Sequence, residues 1–128
     1  AARLVEQFDA YTIGGHRIDG ALTLDENLAD LGGLGIALDA LRQATANMPD
    51  PEIDGMKREE RFFANFAFTW RSVTTAERLA LELATNTHVP GRVRADGAPS
   101  NLPAFAQAFN CTEGQPMARR AADRIAFP

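Results

Sequence analysis

The side chains of this sequence best placed to do chemistry are two carboxylates one helical turn apart, Glu26 and Asp30, and a histidine and an arginine held in the run His88-x-Pro90-Gly91-x-x-Arg94. On a helix advancing about 100° per residue, Glu26, Asp30, Gly33, Ala37 and Ala44 fall in one narrow stripe, and Leu28, Leu31, Leu34 and Leu38 fill a broader neighbouring one. Acids in line with small residues, instead of with more charge, predict that another element packs closely over them. A carboxylate covered in that way must be paired, hydrogen-bonded or bound to a metal, because a buried unpaired charge costs several kcal/mol. The same spacing also describes a capping box, with Thr23 as N-cap, Glu26 folded back on its backbone and both acids favoured by the helix dipole. His88, taken alone, reads as a loop histidine beside a proline and a glycine that interrupt any helix.

Periodicity predicts the helices and turns that carry these residues. Residues 1–11 carry Leu4, Val5 and Phe8 at helical spacing and precede the turn-prone Gly14-Gly15 and Asp19-Gly20 pairs. A helix starts at Thr23, with Glu26 three residues on, and runs to about residue 46. Residues 47–55, with Pro49 and Pro51, form a polar connection. Phe62, Phe63, Phe66 and Trp70 share one side of a helix over residues 57–70 and read as core, and a further helix covers residues 74–83. Residues 92–100 read as a loop, and Asn101 as the cap of a short helix reaching Phe109. Extended pieces are expected only near residues 12–20 and 92–95, so the fold class is mainly α.

The 128 residues, 45% of them hydrophobic, suit one globular unit with a modest core. A net charge of −4 without a basic block gives no footprint for nucleic acid. No apolar run approaches the roughly 20 residues that cross a bilayer, so no membrane segment is expected in this chain. Cys111 is the one cysteine, which excludes an internal disulfide framework and a cysteine-rich metal knuckle. No repeat or low-complexity stretch is present.

The stretch Leu22-Thr23-Leu24-Asp25-Glu26-Asn27-Leu28-Ala29-Asp30-Leu31-Gly32-Gly33-Leu34 resembles the signature of the neprilysin-type (M13) zinc metalloendopeptidases, in which Glu-Asn-Ile-Ala-Asp follows Thr-Leu-Gly. His88, Pro90, Gly91 and Arg94 match that family's His-x-Pro-Gly-x-x-Arg, preceded by the family-like Phe62-Phe63-x-Asn65-Phe66-Ala67-x-x-Trp70. The closing run from Asn101 through Phe105, Phe109, Cys111 and Gly114 to Met117 is similar to the family's C-terminal pattern.

This resemblance, covering the chain from about Gly15 onward, implies that residues 1–128 are the C-terminal helical part of a gluzincin-type metallopeptidase catalytic domain. It assigns Glu26 as the third ligand of one catalytic Zn2+, Asp30 as the carboxylate that orients a zinc-binding histidine, His88 as the oxyanion stabiliser and Arg94 as the holder of a substrate carbonyl. These roles suit the residue types. Zinc accepts carboxylate oxygen beside imidazoles, a ligating imidazole commonly donates its second proton to a carboxylate, and a fixed donor aimed at developing charge favours the transition state. In some members the Cys111 position pairs with a cysteine far upstream; a free thiol is the other reading here.

Three departures stand out: Asp25 replaces a usual glycine, Asn86 replaces an aspartate two residues before the histidine, and the final family tryptophan is missing at Phe127-Pro128. A neutral amide at Asn86 supports an imidazolium less than a carboxylate would. No His-Glu-x-x-His motif occurs, and His16, in the loop before the first motif, reads as exposed or structural. The general base and two zinc ligands must then come from an N-terminal portion of the same peptidase, without which the chain is expected to be inactive toward peptide substrates. By resemblance the location is extracellular, periplasmic or a membrane-anchored ectodomain. The alternative from a different class is a non-catalytic helical binding or structural module derived from such a peptidase.

Overall fold

A computed structural model of the chain describes residues 1–126; the missing-tryptophan position at Phe127-Pro128 lies outside the described residues. The elements run α1 (Ala2–Asp9), β1 (Thr12–Ile13), β2 (His16–Arg17), α2 (Leu24–Ala44), α3 (Arg58–Thr69), α4 (Ala76–Thr85), α5 (Gly91–Gly97), a 3-10 turn (Pro99–Asn101), α6 (Pro103–Ala108) and a last 3-10 turn (Ala121–Asp123). The fold is mainly α. The two short strands pair antiparallel, Thr12 with Arg17 and Ile13 with His16, through a Gly14-Gly15 turn in which both glycines have positive φ.

The leucine stripe explains why α2 is the spine. Leu31 enters one apolar cluster with Leu4, Phe8, Ile18, Val89 and Val93, and Leu34 and Leu38 enter a second with Phe63, Ala98 and Ala104. A single helix thus divides its apolar face between two groups of partners, α1 and α5 on one side, α3 and α6 on the other. Phe63 packs edge-on to Phe62 and Phe105, which locks α3 to α6. Arg42 and Glu59 add a bidentate bond between α2 and α3. No helix among the described residues is long and apolar enough to cross a membrane.

The expectations for residues 92–101 need correction. Residues 91–97 are helical and 99–101 form a 3-10 turn, where a loop with an extended piece at 92–95 was expected. Pro90, extended at φ −54° and ψ 147°, is the N-cap of α5, so the proline opens a helix instead of ending one. Gly91 marks a close approach and not a break: a Cβ there would lie 2.0 Å from the Trp70 carbonyl oxygen. Asn101 caps nothing; its buried amide donates to the Gly97 carbonyl and to Gln7, and its oxygen accepts the Ile125 amide. The N-cap of α6 is Leu102, with Pro103 in the first turn.

Candidate active site

Glu26 and Asp30 leave α2 in the same direction, as the helical spacing requires, but they meet different partners. Glu26 Oε2 lies 3.0 Å from His88 Nε2. Asp30 accepts two bonds from Arg94, 2.7 Å from Nε and 2.6 Å from Nη2. The capping box is not formed: the Thr23 hydroxyl donates to the Asp19 carbonyl and accepts from the buried Asn27 amide, while Glu26 turns to His88. Asn27 thereby ties the motif to the turn before it, and its neighbours in sequence are left to face the site.

The segment carrying His88 and Arg94 is positioned by two valines. Val89 and Val93 are each 4% exposed and sit in the cluster with Leu4, Phe8 and Leu31. Burying one just before α5 and the other in its first turn holds the preceding His88 and the following Arg94 at fixed places beside α2. The His88 ring is oriented from its other side by Asn86, whose Oδ1 accepts the His88 backbone N–H at 2.9 Å and lies 3.2 Å from Nδ1. With both nitrogens protonated, Nδ1–H donates to Asn86 and Nε2–H to Glu26.

Arg94 is held on two sides. Its Nε and Nη2 fork occupies Asp30, and its Cζ sits 3.6 Å from the centroid of the Trp70 ring. A side-on fork of this kind leaves both Nη1 protons free for a further acceptor, and each Asp30 oxygen keeps a second lone pair. The sequence reading placed Trp70 with the core aromatics. Of that group only Phe63 is fully buried, and Trp70 instead packs on the Arg94 guanidinium. The one available signal was its place four residues after Phe66, whose ring meets it edge-on.

Asp96, two residues beyond Arg94, has its carboxyl raised above the ordinary aspartate value by burial, with Arg92 acting in the opposite sense. His16 is exposed on β2 and takes no part. Cys111 is a free, half-buried thiol remote from the acids in sequence.

The stripe of small residues is open. Ala29, Asp30, Gly33 and Ala37 of α2 and Phe62, Asn65, Phe66 and Thr69 of α3 line a groove of about 300 Å³, and nothing lies within 4 Å of a Cβ built on Gly33. The element expected over this stripe is not among the described residues. Nor do any three His, Cys, Asp or Glu side chains gather there. A zinc centre draws on about three or four protein ligands, so the described residues do not complete one; the half-exposed Glu26 carboxylate beside the uncovered stripe fits a single ligand of such a centre.

Residues 1–125 match the model of peptidase family M13. Endothelin-converting enzyme 1 of Bos taurus is 38% identical over 120 residues, 91% of this chain and 16% of that protein. Neprilysin-3 of Drosophila melanogaster is 33% identical over 121 residues, 89% of this chain and 15% of that protein. The crystal structure of a Mycobacterium tuberculosis zinc metalloprotease in complex with an inhibitor matches with a TM-score of 0.93 and 35% identity, over 98% of this chain and 20% of that one. The chain therefore spans about a sixth of the length of these curated relatives. With sequence motifs, fold and family match agreeing over nearly its whole length, the chain belongs to peptidase family M13.

Proposed function

We propose that residues 1–128 are the C-terminal part of the catalytic domain of a zinc-dependent metalloendopeptidase and supply half of its active site. The observation that carries this reading is the double pairing of Glu26 with His88 and of Asp30 with Arg94, which sets four residues from two distant motifs side by side along α2. The N-terminal portion of the same protein would cover the small-residue stripe and bring the remaining ligands and the general base.

In this reading Glu26 is a ligand of the zinc ion, which when bound makes water nucleophilic near neutral pH and polarises the scissile carbonyl. Asp30 accepts the second ring proton of a ligating histidine through a lone pair that Arg94 leaves free, fixing that ring's tautomer. Arg94 holds Asp30 with one edge and offers Nη1 to a carbonyl of the peptide substrate. His88 presents Nε2–H from a loop whose direction Val89 and Asn86 fix, and a donor fixed in advance favours the oxyanion without reorganisation. The Glu26–His88 pair is half-exposed and contributes little stability, which is consistent with a contact that is exchanged during the reaction.

The test is zinc content and peptide hydrolysis of the whole protein and of the isolated chain. Activity is expected only in the whole protein, abolished with loss of zinc by Glu26→Ala, and reduced about 100-fold or more in kcat by His88→Ala with zinc retained. If the whole protein binds no zinc or cleaves no peptide, the reading fails and a non-catalytic helical binding or structural module replaces it.

A further inference from the structure

We infer that Trp70 is a positioning residue for Arg94, its indole face fixing the plane of the guanidinium so that the arginine can hold Asp30 and a substrate carbonyl at once. This rests on the peptidase reading and deepens it. A guanidinium hydrogen-bonded along one edge still has a hinge, because the plane can rock about the two bonds to the carboxylate. An aromatic face against it removes that freedom, and Arg94 Cζ lies 3.6 Å from the Trp70 ring centroid. The pair is well shielded, with Arg94 and Asp30 side chains 12% and 13% exposed, so the attraction of the cation to the ring is not spent on water.

Two observations show that the ring face, not another feature of the tryptophan, makes this contact. The indole Nε1 is buried without a hydrogen-bond partner among the described residues, so no polar bond of the ring accounts for its orientation. The backbone of Trp70 is also fixed against the segment it serves: its carbonyl oxygen lies so close to Gly91 that no larger residue fits there. Trp70 thus meets the Arg94 helix twice, by its backbone at the first turn and by its ring at the guanidinium. The edge of Phe66 holds the ring from the side, with centroids 6.1 Å apart.

The test uses the whole protein with a peptide substrate and compares Trp70→Phe, Trp70→Leu and each of these combined with Arg94→Lys. Trp70→Leu is expected to raise KM about tenfold with kcat changed less, and Trp70→Phe, which keeps an aromatic face, to stay within about threefold of the parent. In the Arg94→Lys background, which has no plane to be stacked, Trp70→Leu should cost little more. Should the leucine variant not fold, Trp70→Met offers an apolar chain of similar reach without a face. Equal losses for Phe and Leu, or a full additional loss in the lysine background, overturn the inference and make Trp70 a direct substrate contact or a packing residue. An unmutated protein that cleaves no peptide instead overturns the peptidase reading itself.

Discussion

At Asp30 and Arg94 the cost of separation is set by burial. Removing the guanidinium in Arg94→Ala strands a carboxylate that is 13% exposed, and breaking a shielded pair from one side is expected to destabilise by about 3 kcal/mol. His88→Ala removes an equally direct contact, yet with side chains 43% and 38% exposed it should change stability by less than about 1 kcal/mol. Urea unfolding of the two variants measures the difference; equal values would mean that the Arg94 pair is not shielded in the whole protein. Asp96 gives a pH dependence of opposite sign to that of a paired acid. Its folded-state value is raised by burial, so the folded protein binds its proton more tightly than the unfolded chain, and stability falls as pH rises through the interval above the ordinary value of 3.8. Asp96→Asn should therefore be neutral to stabilising at pH 7, with the advantage gone below that interval, as read from unfolding at several pH values. Motif wording singled out Glu26, Asp30, His88 and Arg94 as candidates. Their pairing was not legible there, because a stripe on a helix says which residues share a face and nothing about what approaches it.

Among the elements, α2 was the most legible, since leucines repeating along one face specify a buried helix whatever its partners are. Helix α5 was the least. Pro90 and Gly91 read as helix breakers, but one is explained by helix-start geometry and the other by a neighbour distant in sequence. A Cβ at Gly97 would lie 2.6 Å from the ring of Phe8, and one at Gly91 would strike the Trp70 carbonyl. Gly91→Ala is accordingly expected to push the first turn of α5 off the end of α3, lower the unfolding midpoint by several degrees and impair activity through displaced His88 and Arg94. Hydrogen exchange should locate the loss of protection at residues 91–97; unchanged protection would show that the backbones can separate without penalty. In α4 no residue is fully buried, and its register is set locally by Thr75, which accepts the Arg78 amide.

Across the whole molecule, the beginning and end of the described chain are fastened together by polar groups as well as by the core. Gln7 on α1 donates to the Gly97 carbonyl and accepts from Asn101, which in turn accepts from the Ile125 amide. Asn101→Ala leaves Gln7 Oε1 and the Ile125 amide without these partners and is expected to cost about 2 to 3 kcal/mol, measurable as a lower urea midpoint with an unchanged slope. The family, the mainly α class and the four candidate residues could be read from the amino-acid order, because helical periodicity and motif wording are carried by neighbours along the chain. That Glu26 faces His88, that Asp30 is clamped by Arg94 beneath Trp70, and that Asn101 fastens the chain ends became visible with the folded chain. Those partners lie dozens of residues apart, and their meeting depends on which side chains, Val89 and Val93 above all, the core takes in.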